Sequence, residues 1–160
     1  MKPARTKAGG WVKPSEVARS EAGRPLCRWC NGEVAKGRRS FCSDRCVHEW
    51  KLRTNPGYLR EKVFERDRGV CAQCGVDTVA LRGDMRKLDY AARRKFLKDW
   101  GLREGSRIPF PRRTMWDADH IVPVAEGGGQ CDLSNMRTLC LRCHKEATAA
   151  LRMRLKELRD

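Results

Sequence analysis

Asp119-His120-Ile121-Val122-Pro123, then Asn135, then Cys140-Leu141-Arg142-Cys143-His144 is the stretch on which the fold turns. The run Met115–Pro123 has the alternation and bulk of a strand closed by proline. Ala125 to Gln130, AEGGGQ, is a flexible loop, and Ser134 to Leu139 is the returning strand. From Leu141 onward the chain reads as one long helix. Strand, loop, strand and helix therefore follow one another, with histidine, asparagine and cysteine set where they meet. Adjacent strand side chains point to opposite faces, so Asp119 and His120 are free to do different jobs unless a local bulge re-aims one of them. Cys143 and His144 project about 100° apart on one helix, so they too can serve different groups.

Working outward, eight of the nine cysteines fall into pairs. Cys27/Cys30, Cys71/Cys74 and Cys140/Cys143 are C-x2-C, and Cys42/Cys46 is C-x3-C. Thiolates two or three residues apart reach one tetrahedral ion from a tight knuckle or a helix's first turn, and disulfide frameworks have no need of such spacing. Two structural Zn²⁺ sites are expected, one at 27/30/42/46 and one at 71/74/140/143. Cys131 is left over as a small loop residue.

Upstream of the strand, CRWCNG (27–32) is a zinc knuckle whose glycine permits the turn, and Ser43 is an N-cap for a helix from about Asp44 to Arg53. Knuckle, hairpin and ligand-bearing helix make a treble-clef-like module. His48 in that helix is expected to be a packing or surface residue, since four cysteines complete the site. Asn55-Pro56 starts a second helix running to about Arg68 and ended by Gly69, with Leu59, Val63 and Phe64 inward. Residues 77–104 read as helical, with Leu81, Met85, Leu88, Phe96, Leu97 and Trp100 inward and Arg86, Lys87, Arg93, Arg94, Lys95 and Lys98 outside. That basic face suits phosphates and suits plain solvation equally. Residues 105–114 are a proline-containing loop.

The domain expectation is thus a basic, disordered tail over 1–24, a four-cysteine module over 25–56, and a second domain over 57–160 with a helical insertion at about 77–104. No apolar run approaches the roughly 20 residues of a membrane span, and MKPARTKAGG is not a secretory leader. An intracellular protein, cytoplasmic or nucleoid-associated, is expected. The formal charge of +15 falls to about +11 once eight thiolates and two Zn²⁺ are counted. A chain this basic favours polyanionic partners, although a solvated Lys/Arg surface gives the same charge. At 40% hydrophobic and 7% aromatic, the core needs help that bound metal can supply.

The elements D-H-I-x-P, N and C-x2-C-H, together with Cys71-x2-Cys74, resemble the HNH (ββα-metal) endonuclease family in its zinc-containing subclass. FCSDRC (41–46), GYLREKVFERDRGVCAQCG (57–75) and the stretch from Trp116 through GGGQCDLSNMRTLCLRCHKE extend the likeness to the HNH regions of annealing helicases. Only the nuclease module carries over, since these segments hold no motor. The resemblance implies an α+β fold: a small zinc-stabilised ββα-metal domain preceded by the treble-clef-like module and helices. It implies hydrolysis of phosphodiesters with His120 as general base, a role that suits an imidazole near neutral pH. Asp119 and His144 are then the ligands of one catalytic Mg²⁺ or other divalent ion. Asn135 orients the His120 ring or the hairpin loop that carries it.

DNA, duplex or branched, is the expected partner, and no residue distinguishes it from RNA. Arg137, Arg112 and Arg113 are candidate DNA contacts; Trp116 is expected in the hairpin core rather than on a base. A non-catalytic zinc module that binds DNA is the competing class, against which stands the complete set Asp119, His120, Asn135 and His144.

Overall fold

In a computed structural model, residues 12–100, 114–129 and 132–159 are described. They fall into two compact units, one ending at Leu59 and the other beginning at Arg60, each with its own core.

In the first unit the knuckle closes through Cys27 N donating to Gly32 O at 2.8 Å and Asn31 N to Cys27 O at 2.9 Å. The left-handed residue is Asn31, φ 59°, rather than the expected Gly32, a conformation that asparagine tolerates better than most residues. Helix α1 spans Asp44–Thr54, and Ser43 caps it by accepting from Cys46 N at 3.2 Å. Cys27, Val34 and Cys46 form the buried centre, with Trp29, Phe41 and Cys42 packed against it. Residues 12–24 were expected to lack structure. Instead they contain a 3₁₀ turn at Pro14–Glu16 and a bridge from Arg19 to Pro25, and Leu26 N donates to Ala18 O at 2.7 Å. Their partners, Pro25 and Leu26, lie just before the knuckle, which a reading of local composition does not weigh.

Helix α2, Pro56–Asp67, starts at its proline and ends in two left-handed residues, Arg68 and Gly69. Leu59 and Val63 are buried; Phe64 is more exposed than expected and stacks on the Trp116 ring at 5.7 Å. The single helical run expected over 77–104 is two helices, α3 at Thr78–Lys87 and α4 at Tyr90–Asp99. Asp89 divides them: its carboxylate accepts from Ala92 N at 2.8 Å and so starts a new helix. Arg93, expected outside, turns back to donate to the Arg86 and Leu88 carbonyls. Met85 is fully buried with Met115 and Leu141, and Leu81, Phe96, Leu97 and Trp100 pack around them. The expectations for 101–113 and Cys131 lie outside the described residues.

Strands β1 (Trp116–His120) and β2 (Met136–Cys140) form an antiparallel hairpin in which Asp119 faces Arg137 and His120 faces Met136. β1 stops at His120, short of Pro123. β2 starts at Met136 because Leu133–Asn135 form a 3₁₀ turn capped by Asp132. Cys140 closes β2 and caps α5, Leu141–Glu157, its sulfur accepting from Cys143 N at 3.5 Å. The hairpin followed by α5 is the ββα unit.

Candidate active site and metal centres

Both cysteine quartets assemble. In each, the four sulfurs lie within 4.8 Å of one another. Separations within the quartets include 3.4 Å for Cys42–Cys46, 3.5 Å for Cys30–Cys42 and 3.8 Å for Cys74–Cys140. A tetrahedral shell with metal–sulfur bonds of about 2.3 Å puts its sulfurs roughly 3.8 Å apart, so the donor sets suit one such ion each. Acidity is unevenly shared within each quartet. Burial alone would raise Cys71, but the amides of Cys140, Cys74 and Gln73 overcome it and draw the thiol down to about 6. Burial and the neighbouring thiols push Cys143 up. In the first quartet Cys27 falls to about 6, burial again being outweighed by the Cys30, Cys42 and Trp29 amides. Cys42 rises to about 12, chiefly through its contact with Cys46. All four sulfurs of a quartet can be thiolates together only beside a cation, which a bound ion would supply.

At the end of the hairpin is an open cleft of about 590 Å³ lined by Asp119, His120, Pro123, Arg137, Glu146 and Arg154 among others. Asp119 comes from β1 and His144 from the first turn of α5, with Asp119 Oδ1 3.8 Å from His144 Nε2. One ion with bonds of about 2.1 Å to each atom spans that gap. The other Asp119 oxygen, Oδ2, accepts from Arg137 Nε and Nη2 at 3.1 and 3.0 Å. The carboxylate is therefore oriented by its cross-strand partner with one oxygen left toward the histidine. His120, the last residue of β1, lines the same cleft.

Asn135 was expected to hold either the His120 ring or the loop, and its side chain bonds to the loop. Its Oδ1 accepts from Val122 N at 2.8 Å, its Nδ2 donates to Val122 O and Gly128 O at 3.0 Å each, and its backbone oxygen accepts from Ile121 N at 2.8 Å. The side chain thus clasps the backbone that leaves His120. Gly128 makes this possible: a Cβ there would lie 1.7 Å from Val122 O. At the far side of the loop Glu126 pairs with Arg154 of α5, whose bond draws the Glu126 carboxyl below its usual range.

Of the three arginines expected at DNA, Arg137 is engaged with Asp119, and Arg112 and Arg113 lie outside the described residues. His48 pairs with Tyr58 OH at 2.8 Å, away from the sulfurs. Trp116 is buried and in contact with both the Phe64 ring and the Arg60 guanidinium, the latter 3.8 Å from its ring centroid. Three contributors were not singled out from sequence. Arg66 donates to Leu133 O and Met136 O, and Asp67 accepts from Thr138 N at 3.0 Å, which ties the end of α2 to β2. Asp117 lies 3.5 Å from His144 Nδ1. The D-x-D alternation at 117–119 was the available signal for Asp117; no local pattern marks the other two.

Residues 107–150 match the family described as HNH endonuclease. That span contains Asp119, His120, Asn135, Cys140, Cys143 and His144. The chain belongs to the HNH endonuclease family.

Two relatives extend the likeness beyond the HNH segment. The chain is 40% identical over 144 residues to the mouse (Mus musculus) "DNA annealing helicase and endonuclease ZRANB3", covering 79% of this chain and 13% of that protein. It is 36% identical over 171 residues to the human (Homo sapiens) protein of the same name, covering 93% of this chain and 16% of the relative. The chain thus spans less than a fifth of these relatives' length. A crystal structure of the human ZRANB3 HNH domain is 37% identical, covers 66% of this chain and 97% of its own, and has a TM-score of 0.49. The span that matches the family holds the β1–β2 hairpin, the first part of α5 and half of the second cysteine quartet, with Cys71 and Cys74 upstream of it. No helix among the described residues is long and apolar enough to cross a membrane.

Proposed function

We propose that this chain is a metal-dependent DNA endonuclease that hydrolyses phosphodiester bonds in the cleft at the hairpin end. The observation that carries the reading is the approach of Asp119 Oδ1 to His144 Nε2, 3.8 Å, with Asp119 itself and His120 both lining the cleft. An oxygen and an imidazole nitrogen open to water suit Mg²⁺ or Mn²⁺. When bound, such an ion supplies positive charge at the scissile phosphate and at the departing 3′ oxygen. His120 takes the proton of the water that attacks phosphorus, and the bond to the 3′ oxygen breaks, leaving a 5′-phosphate. Asn135 holds the loop that follows His120, so the base is presented from a fixed backbone. Arg137 keeps Asp119 turned so that Oδ1 faces His144. The two quartets hold structural Zn²⁺, supported by sulfur separations close to those of a tetrahedral four-thiolate site. DNA as substrate is supported by the basic charge of the chain and by its likeness to proteins named as DNA annealing helicase and endonuclease.

The test is incubation of the zinc-loaded chain with end-labelled duplex, fork, flap and single-stranded DNA and with RNA, each with Mg²⁺, Mn²⁺ or EDTA. Cleavage of a DNA substrate that needs the divalent ion and leaves 5′-phosphate is expected. Binding to DNA with no cleavage under any metal makes the chain a binding module, and cleavage confined to RNA reassigns the substrate.

A further inference from the structure

His144 has two ring nitrogens and a carboxylate beside each. Asp117 and Asp119 are two residues apart on β1, so strand alternation sends both toward His144 on α5. Asp119 Oδ1 lies 3.8 Å from Nε2, and Asp117 Oδ2 lies 3.5 Å from Nδ1. The two nitrogens point away from each other across the ring, so one ion bound at Nε2 is within reach of Asp119 and out of reach of Asp117 through the same ring. A neutral imidazole that offers Nε2 as a donor must keep its proton on Nδ1, and that proton needs an acceptor.

Asp117 is held for this task. Its Oδ1 pairs with Arg60 Nη1 at 3.3 Å, which leaves Oδ2 toward the histidine. Arg60 is itself fixed: the guanidinium lies on the Trp116 ring and donates to Thr114 Oγ1 and Trp116 O. We propose that Asp117 is a positioning residue that accepts the Nδ1 proton of His144, selects its tautomer and aims Nε2 at Asp119, with Arg60 as its anchor. The proposal rests on the reading that Asp119 and His144 share a divalent ion. The histidine is thereby buttressed from α2 and β1 before any ion or DNA arrives.

The experiment uses the full, zinc-loaded chain labelled with ¹⁵N in histidine, with the His144 signals assigned by their loss in His144→Ala. Long-range ¹H–¹⁵N spectra without added divalent ion read the tautomer, and Mn²⁺ titration read by broadening of the same signals gives the affinity. Wild type should show the proton on Nδ1. Asp117→Ala should move it toward Nε2 and weaken Mn²⁺ by about 10–100-fold, the usual cost of losing a group behind a metal ligand. Asp117→Asn, whose amide oxygen still accepts, should recover most of the tautomer and part of the affinity; it also serves as the folded comparison if the alanine variant melts early. An Nε2-protonated His144 in wild type, or a tautomer unmoved in Asp117→Ala, overturns the proposal while leaving the shared ion in place. A wild-type chain in which Mn²⁺ leaves His144 sharp, whatever its tautomer, overturns the ion reading and the aiming role with it.

Discussion

The two knuckles are built alike and serve different ends. In each, the residue after the second cysteine is left-handed, Asn31 in one and Gly75 in the other, and its amide donates to the first cysteine's carbonyl at 2.9 Å. The quartets differ in reach. Cys30 meets Cys42 across 12 positions, whereas Cys74 meets Cys140 across 66. The first site pins a local loop to the helix that follows it. The second clamps the start of the nuclease domain to the turn between β2 and α5, one residue from His144. Identical ligand chemistry is therefore a fold staple in one unit and part of the scaffold of the candidate active site in the other.

The strongest way to break that contrast is Cys143→Ala. Structural zinc contributes folding free energy directly, on the order of 10 kcal/mol in small zinc peptides. The variant should bind one zinc fewer, lose the melting transition of the second unit and show no cleavage; metal analysis, a thermal melt and a nicking assay read all three. Retained cleavage would mean that the second quartet is not the scaffold described.

Next in size are the variants that spare both quartets. His120→Ala should slow single-turnover cleavage by about 10²–10⁴-fold, the usual worth of a general base, with zinc content, melting temperature and DNA binding close to wild type. His144→Ala should likewise lose cleavage and keep both zinc ions. Release of a zinc ion by His144→Ala would make it a structural ligand and remove the second metal centre. Cys46→Ala comes after these. It should lose the other zinc and the fold of the first unit, yet leave cleavage of a short duplex within about tenfold of wild type, since the general base and both ligands of the proposed ion lie in the second unit. A complete loss there would give the first quartet a share in the chemistry.

The same contrast marks what was legible in sequence. Paired cysteines declare themselves through spacing, because the knuckles that carry them are local, whereas Asp119, His120, Asn135 and His144 stand out through their resemblance to the HNH pattern. Tertiary partners do not. Arg60 reaches Asp117 over 57 positions and Asp67 reaches Thr138 over 71, and nothing local predicts either. Arg137 illustrates the limit: composition offers an arginine beside the site, but only the register that sets it opposite Asp119 shows that its guanidinium is engaged. The division of 77–104 into two helices is absent from the sequence reading, where the inward residues run on from Met85 through Leu88 to Phe96; the structure shows it at Asp89, whose carboxylate caps the second helix.

Asp67 gives the smallest effect and the finest test of how the second unit depends on distant ties. Arg66 beside it, together with the Thr138 amide and against the effect of burial, holds its carboxyl below the usual carboxylate range. A carboxyl whose pKa is lower in the folded chain than in the unfolded one stabilises above the unfolded value, near 4, and loses that contribution as pH falls through the folded value. Asp67→Asn keeps the shape and removes the charge. It should destabilise the second unit by about 1–2 kcal/mol at pH 7, the scale of a hydrogen bond to a charged group, read as a fall of several degrees in its melt. The gap between variant and wild type should hold from pH 8 to about 5 and narrow below about 4. Zinc release in acid affects both chains alike, so the difference at each pH isolates the carboxylate. A gap that instead widened on acidification would mean that Asp67 is protonated in the folded protein and that the bond to Thr138 is not the tie between α2 and β2.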